Sequence, residues 1–139
     1  MKKILVLGVI IAAVFSCSTD DSSDTNFYFE ILPIESAIVH DEVEFGRTYT
    51  IEYSYFRPSN CHNFSDLYYL AEGNTRVVAV VNSVLDSDVD CTPLTNELVE
   101  KSFNFFVRQE TGSYTFKFWQ GEDENGEDIY LVYQVFVVN

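Results

Sequence analysis

Apolar and polar residues alternate along most of the chain after residue 26, and this two-residue period limits the possible folds more than any other feature. The clearest run spans residues 47–56, where four large side chains would share one face of an extended strand: Tyr49, Ile51, Tyr53 and Tyr55. Successive side chains of a strand point to opposite faces, so such a run suits a sheet that is buried on one side. Beyond the first sixteen residues no segment repeats its apolar residues at helical spacing, although residues 94–101 could form one helical turn. The sequence therefore predicts an all-β fold.

Turn signals divide the chain after residue 26 into about seven to eight strands. Gly73-Asn74 has the composition of a two-residue hairpin turn, and the segment from Gly121 to Asp128 is a second turn. Pro33 lies within the first expected strand, Phe27 to Ile34, and suits an edge strand or a strand end, where proline is tolerated. Strands separated by turns roughly every 8 to 12 residues are typical of a β-sandwich. We expect one antiparallel sandwich domain over residues 27–139, in keeping with the chain length.

The corner before the penultimate strand makes the type of sandwich more specific. Glu110-x-Gly112-x-Tyr114-x-Phe116 resembles the D-x-G-x-Y-x-C corner of immunoglobulin-like domains. In that family the tyrosine hydrogen-bonds to the backbone of the corner, which implies the same role for Tyr114. Phe116 stands where the family has a cysteine, so an aromatic side chain replaces the inter-sheet disulfide. The alternative is plain alternation after a glycine turn, and Tyr114 is a core residue under either interpretation.

The first sixteen residues have the composition of a secretory signal peptide. A positive start at residues 1–3 is followed by an apolar run over residues 4–15 and then by Ser16 and Cys17. The run is about 12 residues long, shorter than the roughly 20 that a membrane-spanning helix needs. We therefore expect residues 1–16 to be removed. The alternative is an anchor helix that is retained.

Val14-Phe15-Ser16-Cys17 resembles the lipobox of bacterial lipoproteins. In that family the cysteine thiol receives a diacylglycerol and becomes the new N-terminus, which implies a lipid on Cys17. The acidic residues that follow, over 18–24, resemble the export signal of Bacteroidota lipoproteins, which implies display on the outer membrane, facing outward. Two alternatives stay open. One is a plain signal peptide with a chance cysteine, and the other is that residues 17–26 form only a flexible tether.

The charge balance limits the partners. The chain has 22 acidic and 8 basic residues, a formal net charge of −14, and two of the basic residues lie in the segment expected to be removed. A surface of this sign repels phosphate backbones, so we expect no nucleic-acid partner. Anionic lipid is repelled for the same reason, so we expect membrane attachment only through the lipid on Cys17. We expect no cofactor.

Cys61 and Cys91 are the two cysteines that remain after processing. Secreted compartments are oxidising and each cysteine is the other's only available partner, so we expect a disulfide. It closes a loop of roughly 30 residues, which stabilises the fold by on the order of 3 kcal/mol in the chain-entropy model. The competing interpretation is a metal site of Cys61, His62 and Cys91, which lacks the C-x-x-C spacing typical of structural zinc.

The acidic segment that begins at Asp86 partly resembles a calcium-binding loop. Four carboxylates have the spacing of an EF-hand, whose hard oxygen ligands suit Ca²⁺: Asp86, Asp88, Asp90 and Glu97. Cys91 occupies the position of the glycine that makes the sharp turn, and the flanking segments read as strands rather than helices. The competing interpretation is a solvated acidic loop, so calcium is a minor hypothesis and no metal is assigned.

No local pattern indicates catalysis. The chain has two histidines, His40 and His62, and no nucleophile elbow or other catalytic motif accompanies them. Carboxylate pairs are frequent because the chain is acidic, so they do not indicate a glycosidase. We expect a protein that is not an enzyme, in which His62 packs or forms hydrogen bonds in a loop.

Several strands carry apolar residues on both faces, which exceeds the single inner face that each sheet of a sandwich needs. The surplus includes Trp119, Tyr130 and Tyr68, a possible binding face for sugar rings or for a protein, unless these residues fill core and edges. We expect a non-catalytic cell-envelope lipoprotein that acts as a surface-displayed binding or accessory module. The alternatives are a structural partner in an envelope complex and a small inhibitor of a secreted enzyme.

Overall fold

The computed structural model describes residues 26–86 and 90–139, and within these ranges it contains strands and turns but no helix. The described strands, in chain order, are β1 (Phe27–Leu32), β2 (Ser36–Ile38), β3 (Glu42–Glu44), β4 (Thr48–Phe56), β5 (His62–Glu72), β6 (Thr75–Leu85), β7 (Leu98–Phe106), β8 (Gly112–Glu122) and β9 (Asp128–Val138). The prediction of an all-β fold is confirmed. These nine strands exceed the expected seven to eight because β2 and β3 are separate strands of three residues each.

The strands form two sheets that face each other as a sandwich. In the six-stranded sheet, β6 pairs with β5 along one edge, and its other edge is shared by β1 and β8. This sheet continues from β8 to β9 and β3, whereas the second sheet has the order β2-β4-β7. The β6–β8 and β3–β9 pairings are parallel and the others are antiparallel. The sandwich is therefore mostly antiparallel rather than wholly so.

The core between the sheets combines aliphatic residues with six buried aromatic side chains among the described residues. It includes one face of β4 and one face of β8, as alternation predicts: Ile51, Tyr53 and Tyr55 with Tyr114, Phe116 and Phe118. Phe105 of β7 packs edge-on against Tyr114 and Phe116, with ring centroids 4.8 and 5.0 Å apart, an arrangement that aromatic quadrupoles favour. The intervening residues of β8 project from the opposite face of the sheet, and Trp119 is one of them.

The predicted tyrosine corner forms between β7 and β8. The Tyr114 hydroxyl accepts hydrogen bonds from the backbone N–H groups of Arg108 and Gln109, both at 2.9 Å. Gly112 has a φ of 98°, a conformation that residues with a Cβ rarely adopt. Phe116 lies fully buried in the core, where the immunoglobulin-like pattern has a cysteine. The corner thus joins β7 to β8 with Tyr114 and Phe116 on the inner face of β8.

The two ends of the sandwich differ. At one end β1 begins at Phe27, opposite Leu85, and the Leu85 N–H donates to the carbonyl oxygen of Cys61 at 3.2 Å. At the other end the predicted hairpin turn Gly73-Asn74 connects β5 to β6, and Gly73 has a φ of 58°. β6 runs the distance between these ends, so its first and last residues lie at opposite ends of the molecule.

Candidate functional site

The three aromatic residues singled out in the sequence lie together on the outer face of the six-stranded sheet. Trp119 of β8 stands directly opposite Tyr130 of β9, and Tyr68 projects from β5. They line a groove of about 460 Å³, called the aromatic groove below, whose apolar lining also includes Ile31, Leu70, Val77 and Ala79. Tyr68 is 46% exposed, and Trp119 and Tyr130 are partly exposed. These three side chains are therefore accessible to a ligand.

One carboxylate holds two of these aromatic side chains in place. The Trp119 Nε1–H donates to Oδ1 of Asp128 at 2.7 Å, and the Tyr130 hydroxyl donates to Oδ2 at 3.2 Å. The Lys117 ammonium lies 4.2 Å from the centroid of the Tyr130 ring, within cation–π range. Burial, the hydrogen bond to Asp128 and the charge of that carboxylate raise the pKa of Tyr130. Its hydroxyl therefore stays a neutral donor at physiological pH.

The acidic turn between β8 and β9 positions Asp128. Oδ1 of Asp123 accepts the backbone N–H groups of Asn125 and Glu127 at 2.8 and 2.9 Å, and Gly126 has a φ of 79°. These hydrogen bonds, that of Glu127 first, hold the pKa of the Asp123 carboxyl below its usual range. The turn is thus organised around Asp123, as expected for an Asn-Gly hairpin turn rather than a cation site.

A β-bulge adjoins the aromatic groove. Trp119 pairs with Tyr130, but the next pair joins Gly121 to Ile129, so Gln120 has no partner in the ladder. Gly121 has a φ of 110°, and a Cβ there would lie 3.9 Å from Pro33. Bulges increase local twist and redirect side chains, and they are frequent next to functional sites. Here the bulge carries β8 beyond Trp119 to Glu122, at the edge of the groove.

Among the residues predicted as calcium ligands, those that the structure describes are not grouped into a metal site. Asp88 lies outside the described residues, and the Glu97 carboxylate lies 3.8 Å from the guanidinium of Arg57. Within residues 26–86 and 90–139, no three His, Cys, Asp or Glu side chains are grouped so that they could hold a metal ion. Calcium binding by Asp86, Asp88, Asp90 and Glu97 therefore stays a prediction.

Cys61 and Cys91 form the expected disulfide, with their Cα atoms 5.5 Å apart. It connects the loop before β5 to the loop before β7, next to a β-bridge between Ser59 and Pro93. The alternative metal site of Cys61, His62 and Cys91 is not formed, because the two sulfur atoms are bonded to each other. The prediction of a disulfide is confirmed by this geometry.

His62 connects a serine and a glutamate beside the disulfide. Its Nδ1 lies 2.7 Å from Oγ of Ser59, and its Nε2 lies 2.7 Å from Oε2 of Glu30. A carboxylate, a histidine and a hydroxyl joined by hydrogen bonds are the groups that activate a serine nucleophile in hydrolases. Here, however, Oγ of Ser59 also accepts the backbone N–H of Cys61 at 3.2 Å, Ser59 is buried, and the aromatic groove does not reach it. We interpret the two hydrogen bonds of His62 as structural, because they connect β1 to the loop that precedes the disulfide-bonded Cys61.

Sequence reasoning missed Asp128 and Glu30. Both depend on strand register: Glu30 lies opposite Asn82, far along the chain, and Asp128 pairs with Glu122 across the hairpin turn. One local signal for Glu30 existed, because it lies on the same face of β1 as Tyr28 and the buried Leu32, where alternation predicts an apolar residue. A charged residue at such a position indicates a buried polar partner.

Comparison with known proteins provides no relative. No protein-family model matches the chain, and no curated protein or solved structure is significantly similar to it. The described residues contain no helix with the length and hydrophobicity of a membrane span. Cys17, the expected lipid attachment site, lies outside the described residues. The function must therefore be argued from the site itself.

Proposed function

We propose that this protein is a non-catalytic binding module of the cell envelope, tethered through a lipid on Cys17, and that its aromatic groove binds a saccharide. The observation that carries the proposal is the pairing of Trp119 with Tyr130 under hydrogen bonds from both to Asp128. These two hydrogen bonds fix the orientation of the Trp119 and Tyr130 side chains relative to each other on an exposed surface. An organised pair of this kind is a pre-oriented platform, which reduces the entropy cost of binding.

The chemistry of the groove suits a sugar ring. Trp and Tyr side chains offer an apolar face next to a polar group, and a pyranose has the matching combination of C–H faces and hydroxyls. Charged groups border the apolar lining and can hydrogen-bond to hydroxyl groups: Glu72, Lys117, Glu122 and Asp128. Three of these four are acidic, so the groove favours a neutral or amine-bearing sugar over a sulfated or uronic one.

A glycan array tests the proposal with the full-length, detergent-solubilised protein. We expect binding to a subset of neutral glycans, and a loss of affinity of about tenfold for Trp119→Ala, because the stacking surface is removed. Phe136→Ala is the matched control: Phe136 is an exposed aromatic residue of β9, opposite Ser113 and outside the groove. Equal glycan binding by both variants, or no glycan binding by the parent, would contradict the proposal.

A second candidate function is assembly with an envelope protein, and one observation favours it. The apolar side of β1 continues the groove outward, where Phe27, Phe29 and Ile31 are each at least half exposed. Exposed apolar patches of this kind mark protein interfaces. A fixed partner that co-purifies after detergent extraction, and is lost on Phe29→Ser but retained on Trp119→Ala, would favour assembly over saccharide binding.

A further inference from the structure

A second cleft opens where the two sheets end side by side. It has a volume of about 670 Å³ and lies between β5 at the edge of the six-stranded sheet and β7 at the edge of the three-stranded sheet. Its lining is mostly apolar and includes Leu67, Tyr69, Phe103 and Phe105. The rings of Tyr69 and Phe103 meet across the opening, with centroids 5.7 Å apart. This edge cleft is separate from the aromatic groove, which lies on the outer face of the sheet.

Two arginines stand in this otherwise apolar cleft. Arg76 donates from Nη1 to the carbonyl oxygens of Gly73 and Thr75, both at 2.8 Å, and lies over the Tyr114 ring at 5.0 Å. Arg108 follows the end of β7 and lies 5.9 Å from the centroid of the Phe106 ring. Both guanidinium groups act on the Tyr69 hydroxyl: burial raises the pKa of Tyr69, and the two positive charges partly oppose this increase.

Neither arginine has an acidic partner in the described part of the chain. The ion pairs there join Arg47 to Glu44, Arg57 to Glu97 and His62 to Glu30. The absence is notable because the chain has 22 acidic residues against 8 basic ones, so carboxylates are abundant. Two guanidinium groups that converge on one cleft without a carboxylate form an anion-binding position, since arginine presents a fork of donors that matches a carboxylate.

The walls of the edge cleft are free strand edges. β5 has 11 residues and pairs with β6 alone, and β7 has 9 residues and pairs with β4 alone. An unpaired edge presents a row of backbone N–H and C=O groups, which is a template for another strand. Recognition by strand addition uses these groups for affinity and adjacent pockets for specificity. β5 leads to the arginines, because Ala71 near its end pairs with Arg76 of β6.

We propose that the edge cleft binds an extended acidic segment of another protein, which adds a strand to β5 and places a carboxylate between Arg76 and Arg108. Apolar side chains of the segment would pack against the exposed surface of the Tyr69–Phe103 pair. The proposal does not depend on the aromatic groove or on its ligand. The partner is acidic because the edge cleft presents two guanidinium groups without a carboxylate partner among the described residues.

Panning a phage-displayed random heptapeptide library against the full-length protein tests this proposal. We expect the recovered peptides to be enriched in Asp and Glu alternating with apolar residues. The affinity of a recovered peptide should fall about tenfold for Arg108→Gln, since one charge-assisted hydrogen bond is lost. Arg57→Gln is the matched control, because Arg57 is an arginine paired with Glu97 next to the start of β7, at the opposite end of that strand from Arg108. Trp119→Ala should bind the peptide as the parent does.

Two further measurements identify the occupant. Hydrogen exchange should show that the recovered peptide slows exchange in β5, residues 62–72. Sedimentation velocity should show a monomer whose mass does not change in Arg108→Gln. Peptides without acidic enrichment, equal affinity of Arg108→Gln and the parent, or protection confined to β8 and β9 would overturn the proposal. A dimer that dissociates in Arg108→Gln would also overturn it, because the occupant would then be a second copy of this chain.

Discussion

At the corner between β7 and β8, one tyrosine hydroxyl satisfies two backbone donors, the N–H groups of Arg108 and Gln109. Tyr114→Phe keeps the buried ring but leaves both donors without their acceptor. We expect the free energy of unfolding to fall by about 1–3 kcal/mol, the cost of unsatisfied backbone groups in a partly buried site. Urea denaturation followed by far-UV circular dichroism measures this change.

The control for this corner is Tyr28→Phe, since Tyr28 is a half-exposed tyrosine of β1. Removing its hydroxyl should change the free energy of unfolding by less than about 0.5 kcal/mol, as is usual at surface positions. If Tyr114→Phe is as stable as Tyr28→Phe, the corner hydrogen bonds do not stabilise the fold, and Tyr114 acts only through its ring.

Side-chain direction along single strands was predictable, but contacts between distant residues were not. Alternation alone places Tyr114, Phe116 and Phe118 inside and Trp119 outside, and the structure agrees. The hydrogen bond from Trp119 to Asp128 depends on the register of β8 and β9 and on the bulge at Gln120. Register is set by packing over the whole face of a sheet, so the local sequence does not specify it.

Among the strands, the passage from β1 to β2 was partly predictable. Pro33 was expected to mark an edge strand or a strand end, and β1 ends at Leu32, one residue before it. The two residues after Pro33 form hydrogen bonds to different sheets: the Ile34 N–H donates to Trp119 O, and the Glu35 N–H donates to Ser54 O, both at 2.8 Å. The chain thus crosses from one sheet to the other within two residues, which proline permits because it has no N–H to leave unpaired.

The short strand β3 was missed for a different reason. Its three residues include one apolar side chain, Val43, which is too little for a periodic pattern. Val43 is nonetheless buried, because β3 lies parallel to the end of β9, where Val43 stands opposite Val137. Parallel pairing joins segments far apart in the chain, and no turn signal accompanies it. The parallel contact of β6 with β8 could not be predicted for the same reason.

The disulfide is the covalent connection between the loops that precede β5 and β7. The double variant Cys61→Ala, Cys91→Ala should lower the free energy of unfolding by on the order of 3 kcal/mol, because the unfolded chain regains the entropy of a loop of about 30 residues. Guanidinium denaturation measures the loss, and the parent protein treated with a reductant is the control. If the variant is as stable as the oxidised parent, the bond does not contribute to stability.

Across the whole molecule, the fold class and the disulfide were predictable, while the attachment to a membrane remains a prediction. Cys17→Ala should move the protein from the membrane to the soluble fraction, since the domain has a strongly negative charge and no other proposed means of attachment. Fractionation with immunoblotting measures the distribution. Radiolabelled palmitate should label the parent and not the variant, and an unlabelled parent would contradict the lipoprotein proposal.

The position of Phe27, where the folded domain begins, affects how a molecule tethered through Cys17 would be oriented relative to the membrane. Ten residues separate Phe27 from Cys17, so a lipid there keeps the disulfide end within about 35 Å of the bilayer. The 11 residues of β6 extend roughly 30 Å from that end. In a molecule tethered by a lipid on Cys17 and standing on its disulfide end, Arg76 would lie at the end away from the bilayer, open to a macromolecule in the medium. The aromatic groove would then open along the membrane plane.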